Sequence, residues 1–172
     1  MANLDIAKFK QKAYKKKKGL ATFLRKAGKT KKRGLAPLIV EADKETWNEV
    51  ACLDCANCCK KMTPTYTPTD IKRISAHVGL SAEEYFKKYL EKRKDGDVTN
   101  KKTPCHFLGK DHKCTIYAIR PADCAGFPHF TRKDFKYQAE QKTYTTNITL
   151  CPATLVFVEK LEAKVAGKMG KI

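Results

Sequence analysis

The sequence predicts a mainly helical α+β fold, and three observations predict it. Helix starts with capping residues recur along the chain, apolar residues return at helical spacing in several stretches, and two short runs flank a Gly/Asp turn as in a β-hairpin. Length sets the scale: 172 residues suit one domain with an appended arm, because a domain usually takes about 100–200 residues. An apolar content of 42% allows a modest core.

Residues 1–36 make the arm. They hold 13 Lys and Arg, from Lys8 to Arg33, against Asp5 alone, and so carry +12 of the net +18. Residues 4–27 have helical residue types, with Leu4, Phe9, Ala13, Leu20, Phe23, Leu24 and Ala27 on one loose stripe. Gly19 and the block Lys15 to Lys18 oppose the helix, since adjacent like charges repel along it. Gly28–Gly34 reads as a polar, basic linker. Two readings of the arm stand side by side. It is a solvated, partly disordered helix that keeps the protein soluble, or residues 8–33 contact the phosphates of RNA or another polyanion by releasing counterions. Lying on an anionic membrane fits least, because large apolar residues are sparse.

The main domain is expected at residues 37–166. Pro37 is tolerated in a first helical turn, and Leu38, Ile39, Ala42, Thr46, Trp47 and Val50 suggest a helix leading to Cys52. Trp47, the sole tryptophan, is expected in the core. Thr67-Pro68-Thr69-Asp70 combines a cap, a first-turn proline and an acid where the helix dipole favours one; Ile71, Ile74, Ala76 and Val78 follow, and Gly79 ends the helix. Ser81-Ala82-Glu83-Glu84 is a capping box that opens a helix with Tyr85, Phe86, Tyr89 and Leu90. His77 is the one candidate ligand on this helix pair. Residues 91–103 read as a loop or exposed hairpin around Asp95-Gly96-Asp97. The β-hairpin proper is expected where Thr103–Leu108 and Lys113–Tyr117 flank the turn Gly109–His112. Pro121 then starts one helical turn that ends at Gly126, followed by an irregular aromatic stretch, Phe127-Pro128-His129-Phe130. Residues 135–142 suit a helix and the Thr- and Tyr-rich 143–150 a strand. Pro152 opens the last helix, with Leu155, Val158, Leu161 and Val165 as its packing stripe; residues 167–172 are expected to fray.

The chemistry lies in eight cysteines. Cys52, Cys55, Cys58 and Cys59 fall within eight residues, and Cys105, Cys114, Cys124 and Cys151 are spread along the C-terminal half. Residues 1–40 hold no apolar run like that of a secretory signal, and no stretch is long enough to span a membrane. A reducing, cytoplasmic setting is therefore expected, where clustered cysteines act as metal ligands rather than disulfides. Four thiols in eight residues are too dense for apolar packing alone, and the adjacent Cys58 and Cys59 are awkward to pair as disulfides.

Two metals compete. Zinc takes four ligands tetrahedrally, so eight cysteines can make two four-thiolate sites. A cubane 4Fe–4S cluster uses C-x2-C-x2-C with a remote cysteine, often one followed by proline, and Cys52, Cys55, Cys58 and Cys151-Pro152 offer that pattern. Either way metal binding closes long loops, so folding and binding are linked. Arg120 can donate hydrogen bonds to sulfurs or to carbonyls near such a site, or form a salt bridge. His106, His112 and His129 stand close enough in sequence to replace a thiol.

The block Cys52–Cys59, then Pro104-Cys105-His106-Phe107-Leu108, then Cys114-Thr115-Ile116-Tyr117 with Arg120-Pro121 and Cys124, and finally Cys151-Pro152 closely resembles the YkgJ-type cysteine-cluster family. The resemblance runs from about Cys52 to Pro152. It implies a domain that chelates zinc or iron through Cys52, Cys55, Cys58, Cys59, Cys105, Cys114, Cys124 and Cys151, with Tyr117, Arg120 and Pro121 in the shared signature. Ala125 departs from it, since relatives commonly carry a basic residue there.

Three function classes follow: a metal-binding protein with a structural or metal-handling role, an RNA- or ribosome-associated basic protein with a structural metal core, and an iron–sulfur oxidoreductase. A closed four-thiolate shell leaves no open position for catalysis. No Gly-rich nucleotide loop, flavin fingerprint or carboxylate pair placed for acid–base work is present, and no recognisable RNA-binding motif either.

Overall fold

A computed structural model describes residues 5–31, 33–130, 135, 139 and 143–170. The chain divides into two units, Met1–Cys55 with Pro128–Ile172, and Ala56–Phe127.

The first unit is built on three long helices, α1 (Ile6–Lys29), α2 (Leu35–Glu49) and α8 (Pro152–Met169), with the short α7 (Thr143–Asn147) beside them. Asp5 starts α1, its carboxylate accepting from the amides of Ala7 and Lys8 at 3.0 Å each. Phe9, Ala13, Leu20, Phe23, Leu24 and Ala27 recur at helical spacing and are all buried. Burial of that stripe outweighs the repulsion along Lys15 to Lys18, so the basic segment is a core helix with a charged outer face. Leu4 lies outside the described residues.

Helix α2 buries Leu35, Leu38, Ile39, Ala42 and Thr46, and α8 buries Leu155, Phe157, Val158, Leu161 and Val165. Phe130 stacks on Phe157 with centroids 3.9 Å apart. The edges of α8 are laced to its neighbours by charge. Lys160 reaches Glu49 (2.6 Å), Lys164 reaches Glu41 and Glu45 (2.8 and 2.7 Å), and Lys168 reaches Glu41 (3.0 Å). The pairing runs Glu41 to Lys168 and Glu49 to Lys160, so α2 and α8 are antiparallel, each stepping four residues per rung. On the other edge Glu159 accepts from both Lys12 and Lys16 of α1 (2.8 and 2.6 Å).

Three expectations are corrected here. Trp47 is 40% exposed; its indole donates to Asp43 at 2.8 Å and only its flank meets Phe130. Residues 143–147 are helical, not a strand: Tyr144 and Ile148, four apart, are both fully buried, and that one-sided burial overrides the β propensity of Thr and Tyr. The expected helix over 135–142 lies outside the described residues apart from Phe135 and Ala139, both buried. Helix α8 continues to Met169 rather than fraying at Gly167, with Gly170 at φ 69° past its end; Lys171 and Ile172 lie outside the described residues.

The second unit contains α3 (Asn57–Lys61), α4 (Pro68–His77), α5 (Ala82–Tyr89), the hairpin β1 (Leu90–Lys92) and β2 (Val98–Asn100), and α6 (Ala122–Gly126). The expected capping box of Ser81 with Glu84 forms, the expected cap Thr67 forms a second one with Asp70, and Gly79 supplies the left-handed residue (φ 72°) that turns α4 into α5. Strands β1 and β2 pair antiparallel, Leu90 with Asn100 and Lys92 with Val98, around the Asp95–Asp97 turn. The segment 105–117, expected to be the main hairpin, keeps only one bridge, Leu108 with Cys114. Its tight turn is closed by the Gly109 amide on the Lys113 carbonyl (2.8 Å), but Ile116 leaves the ladder to enter the core. That core comprises Tyr66, Ile74, Tyr85, Leu90, Phe107 and Ile116, with Cys105 and Cys114 packed against it.

Candidate metal centre

Five of the eight cysteines belong to the second unit: Cys58, Cys59, Cys105, Cys114 and Cys124. Cys58 and Cys59 sit on α3. Ala56, at the start of α3, lies in the left-handed region (φ 52°), a conformation costly for a residue with a Cβ. The two sulfurs are 3.9 Å apart. Cys105 is tied to α3 through its backbone, its amide donating to the Cys59 carbonyl at 2.8 Å. Cys114 is the bridge partner of Leu108, and Cys124 is in the middle of α6.

Electrostatics groups the same residues. Burial pushes the Cys105, Cys114 and Cys124 thiols up, most strongly for Cys124, and the neighbouring cysteines add to it: Cys59 and Cys114 act on Cys105, Cys59 acts on Cys114, and Cys105, Cys59 and Cys114 act on Cys124. Cys59 goes the other way. Its hydrogen bond with Cys58 outweighs burial and pulls its pKa down to about 7. The half-buried thiols of Cys105, Cys114 and Cys124 are thus each made harder to ionise by at least one neighbouring cysteine.

The other three candidates lie in the first unit. Cys52 begins a 3-10 turn, Cys52–Asp54, where the Cys55 amide donates to the Cys52 carbonyl at 3.2 Å. Cys151 caps α8, its thiol pushed up by burial. None of the eight cysteines is in a disulfide. Among the described residues no three or more His, Cys, Asp or Glu side chains are placed so that together they could hold a metal ion. The donor set nonetheless fits a soft cation, since thiolates select zinc and iron and metal binding is coupled to closing such a site.

Arg120 stands over Tyr117, its guanidinium carbon 3.9 Å from the ring centre, and donates to the Tyr117 carbonyl at 2.6 Å. Its charge favours the ionised form of Cys114. His106 stacks on Tyr89 at 4.3 Å and shares a 3.2 Å hydrogen bond with the Tyr85 hydroxyl; burial holds its pKa down to about 4, so the ring is neutral. His77 and His112 are exposed, and the His129 carbonyl accepts from the Tyr144 hydroxyl at 2.8 Å.

Two supports were not legible as such. Asp70 reads in the sequence only as an acid that the dipole of its own helix favours. In the fold its carboxylate is 1% exposed, accepts from the Ala122 amide (3.1 Å) and pairs with Arg73 (2.7 Å). Arg73 in turn reaches the carbonyls of Ile119 and Arg120. Together they pin the segment from Tyr117 to α6, and so Cys124, onto α4. Asp123 adds a second tie, accepting from the Thr65 amide at 3.0 Å. No spacing rule announces either contact, because the partners are about fifty residues apart in the chain.

A family model, CxxCxxCC, described as a "Putative zinc- or iron-chelating domain", matches residues 51–152. That is more than half of the 172 residues. The chain is also 31% identical over 81 residues to "Uncharacterized protein MJ0661" of Methanocaldococcus jannaschii, covering 45% of this chain and 43% of that protein. The chain thus spans less than half the length of that relative. No solved structure matches. Among the described residues no helix is long and apolar enough to cross a membrane.

Proposed function

The chain belongs to the CxxCxxCC zinc- or iron-chelating family, and from that premise we propose that it is a metal-binding protein whose zinc or iron is held by the clustered cysteines. One observation carries the reading: Cys59, Cys105, Cys114 and Cys124 come from three separate chain segments, yet they lie near enough that Cys59, Cys105 and Cys114 all raise the cost of ionising Cys124, and the Cys105 amide is bonded to the Cys59 carbonyl. A fold that gathers thiols in this way, without disulfides, has a use for a cation at their centre. Cys58, Cys59, Cys105, Cys114 and Cys124 are the ligand candidates of the second unit, and Cys52, Cys55 and Cys151 complete the set drawn from the sequence. When bound, a metal in a full thiolate shell supplies cross-linking of distant segments rather than an open coordination site. The role is therefore structural or in metal handling. Purification without oxygen, followed by measurement of zinc, iron and acid-labile sulfide, tests it. Zinc without sulfide gives the mononuclear form, iron with sulfide gives the cluster, and absence of all three contradicts the proposal.

A second reading, polyanion binding by the basic helix, is favoured by one observation. Arg25, Lys26 and Lys29 line a single cleft at the end of α1 with Thr30, while Lys12 and Lys16 are held by Glu159. Cations gathered in a cleft suit a phosphate. Deleting residues 1–36 does not test this, because it removes Phe9, Leu20, Phe23 and Leu24 from the core. The variant Arg25→Glu/Lys29→Glu in the full chain does. RNA affinity that falls steeply with salt and drops at least tenfold in the variant supports it; equal, weak binding by both removes it.

A further inference from the structure

Helix α1 carries no acidic residue from Ile6 to Lys29, and the fold treats its cations unequally. Lys12 and Lys16, on the flank facing α8, are held by Glu159. Lys18, Arg25 and Lys29 are exposed and, among the described residues, have no carboxylate partner. Tyr14 shares their side of the helix. With about 3.6 residues per turn, Tyr14, Lys18, Arg25 and Lys29 fall within about 60° of one another, opposite the buried Phe9, Leu20 and Ala27. They mark one line about 22 Å long. Tyr14 is 83% exposed, the most exposed large apolar side chain among the described residues.

One exposed ring is ordinary on a protein surface. A ring at the end of a row of unpaired cations differs, because the two features suit two parts of one ligand. Phosphates neutralise the cations and release counterions, and a base stacks on the ring. We propose that the outer face of α1 binds single-stranded nucleic acid, its phosphates running from the Arg25 and Lys29 cleft past Lys18 and one of its bases stacking on Tyr14. The proposal rests on the polyanion reading given above and adds the strandedness of the ligand to it. A duplex keeps its bases stacked inside and offers Tyr14 only sugar and phosphate. A run of carboxylates satisfies the cations and leaves Tyr14 without a partner.

Fluorescence anisotropy of a labelled oligouridylate of about twelve nucleotides is measured with the full chain and its Tyr14→Ala, Tyr14→Phe and Lys18→Gln variants over a range of salt. An RNA duplex of equal length and poly-glutamate serve as competitors. Tyr14→Ala should weaken binding about tenfold at every salt concentration and leave the salt slope unchanged. Tyr14→Phe, which keeps the ring, should restore most of the loss. Lys18→Gln should instead lower the slope of log K against log salt by about 0.7. Duplex and poly-glutamate should compete weakly with the single strand. That comparison uses the wild type and decides alone where circular dichroism shows that a variant does not fold. Wild-type affinity in Tyr14→Ala, an unmoved slope in Lys18→Gln, or a competitor as strong as the single strand overturns this placement and leaves the polyanion reading standing. A wild type that binds none of the three overturns both.

Discussion

The amide of Cys105 donates to the carbonyl of Cys59 at 2.8 Å, joining two cysteines that are far apart in the sequence by a bond between their main chains. The thiols are thus brought together by backbone structure that does not depend on the thiols themselves. Replacing the Cys105 sulfur with oxygen leaves that bond in place. Cys105→Ser should therefore keep the secondary structure seen by circular dichroism while losing bound metal and the thermal stability that the metal adds. A variant that holds full metal would remove Cys105 from the ligand set.

Asp70 supports the same region through a different chemistry. Asp70→Ala removes a helix cap, orphans the Ala122 amide and frees Arg73, and should cost on the order of 3 kcal/mol in urea unfolding. Burial pushes the Asp70 carboxyl up, but bonds from Thr67, Ala122 and Arg73 outweigh it and hold its pKa below the ordinary 3.8. A carboxylate with a depressed folded-state pKa stabilises in full above its unfolded value, and that contribution is lost as pH falls through the folded value. The stability gap between wild type and Asp70→Ala should be constant from about pH 6 down to about pH 4 and close below it. A gap that narrows already near neutrality would contradict the assignment.

The basic helix shows where sequence reading succeeds and where it stops. The stripe Phe9, Ala13, Leu20, Phe23, Leu24 and Ala27 is visible in the sequence because periodicity is a local property, and all six residues are buried. What it packs against is not local, and the lysine block draws attention to solvent instead. The caps at Thr67 and Ser81 and the stripe of α8 were legible for the same local reason. The strand expected at 143–150 was not, since Tyr144 and Ile148 fit either period until their partners Phe135 and Phe157 are known. In the candidate site the thiols announce themselves by spacing, whereas the ties of Asp70 to the Ala122 amide and of Arg73 to the Ile119 and Arg120 carbonyls are non-local and carry no signal of their own.

Leu24→Ala should accordingly destabilise the protein by about 2–5 kcal/mol in thermal or urea unfolding. Lys18→Gln, on the exposed side of the same helix, should change stability by less than about 0.5 kcal/mol. A Leu24 variant as mild as the Lys18 one would mean that α1 does not belong to the core.

Glu159 bridges Lys12 and Lys16 while only 19% of its side chain is exposed. Both lysines are half in solvent, so the pairs are weakened by screening. Glu159→Gln should cost about 0.5–1 kcal/mol at low ionic strength, and most of that difference should vanish near 1 M salt. A cost that is independent of salt would point to packing of the Glu159 stem instead.

Metal content of the anaerobically purified protein tests the central claim most directly. The account predicts zinc or iron in stoichiometric amount, retained by the wild type and lost together with thermal stability in Cys105→Ser. Wild-type protein that contains neither metal, and whose melting temperature is unmoved by adding zinc, by adding iron or by a strong chelator, would contradict it.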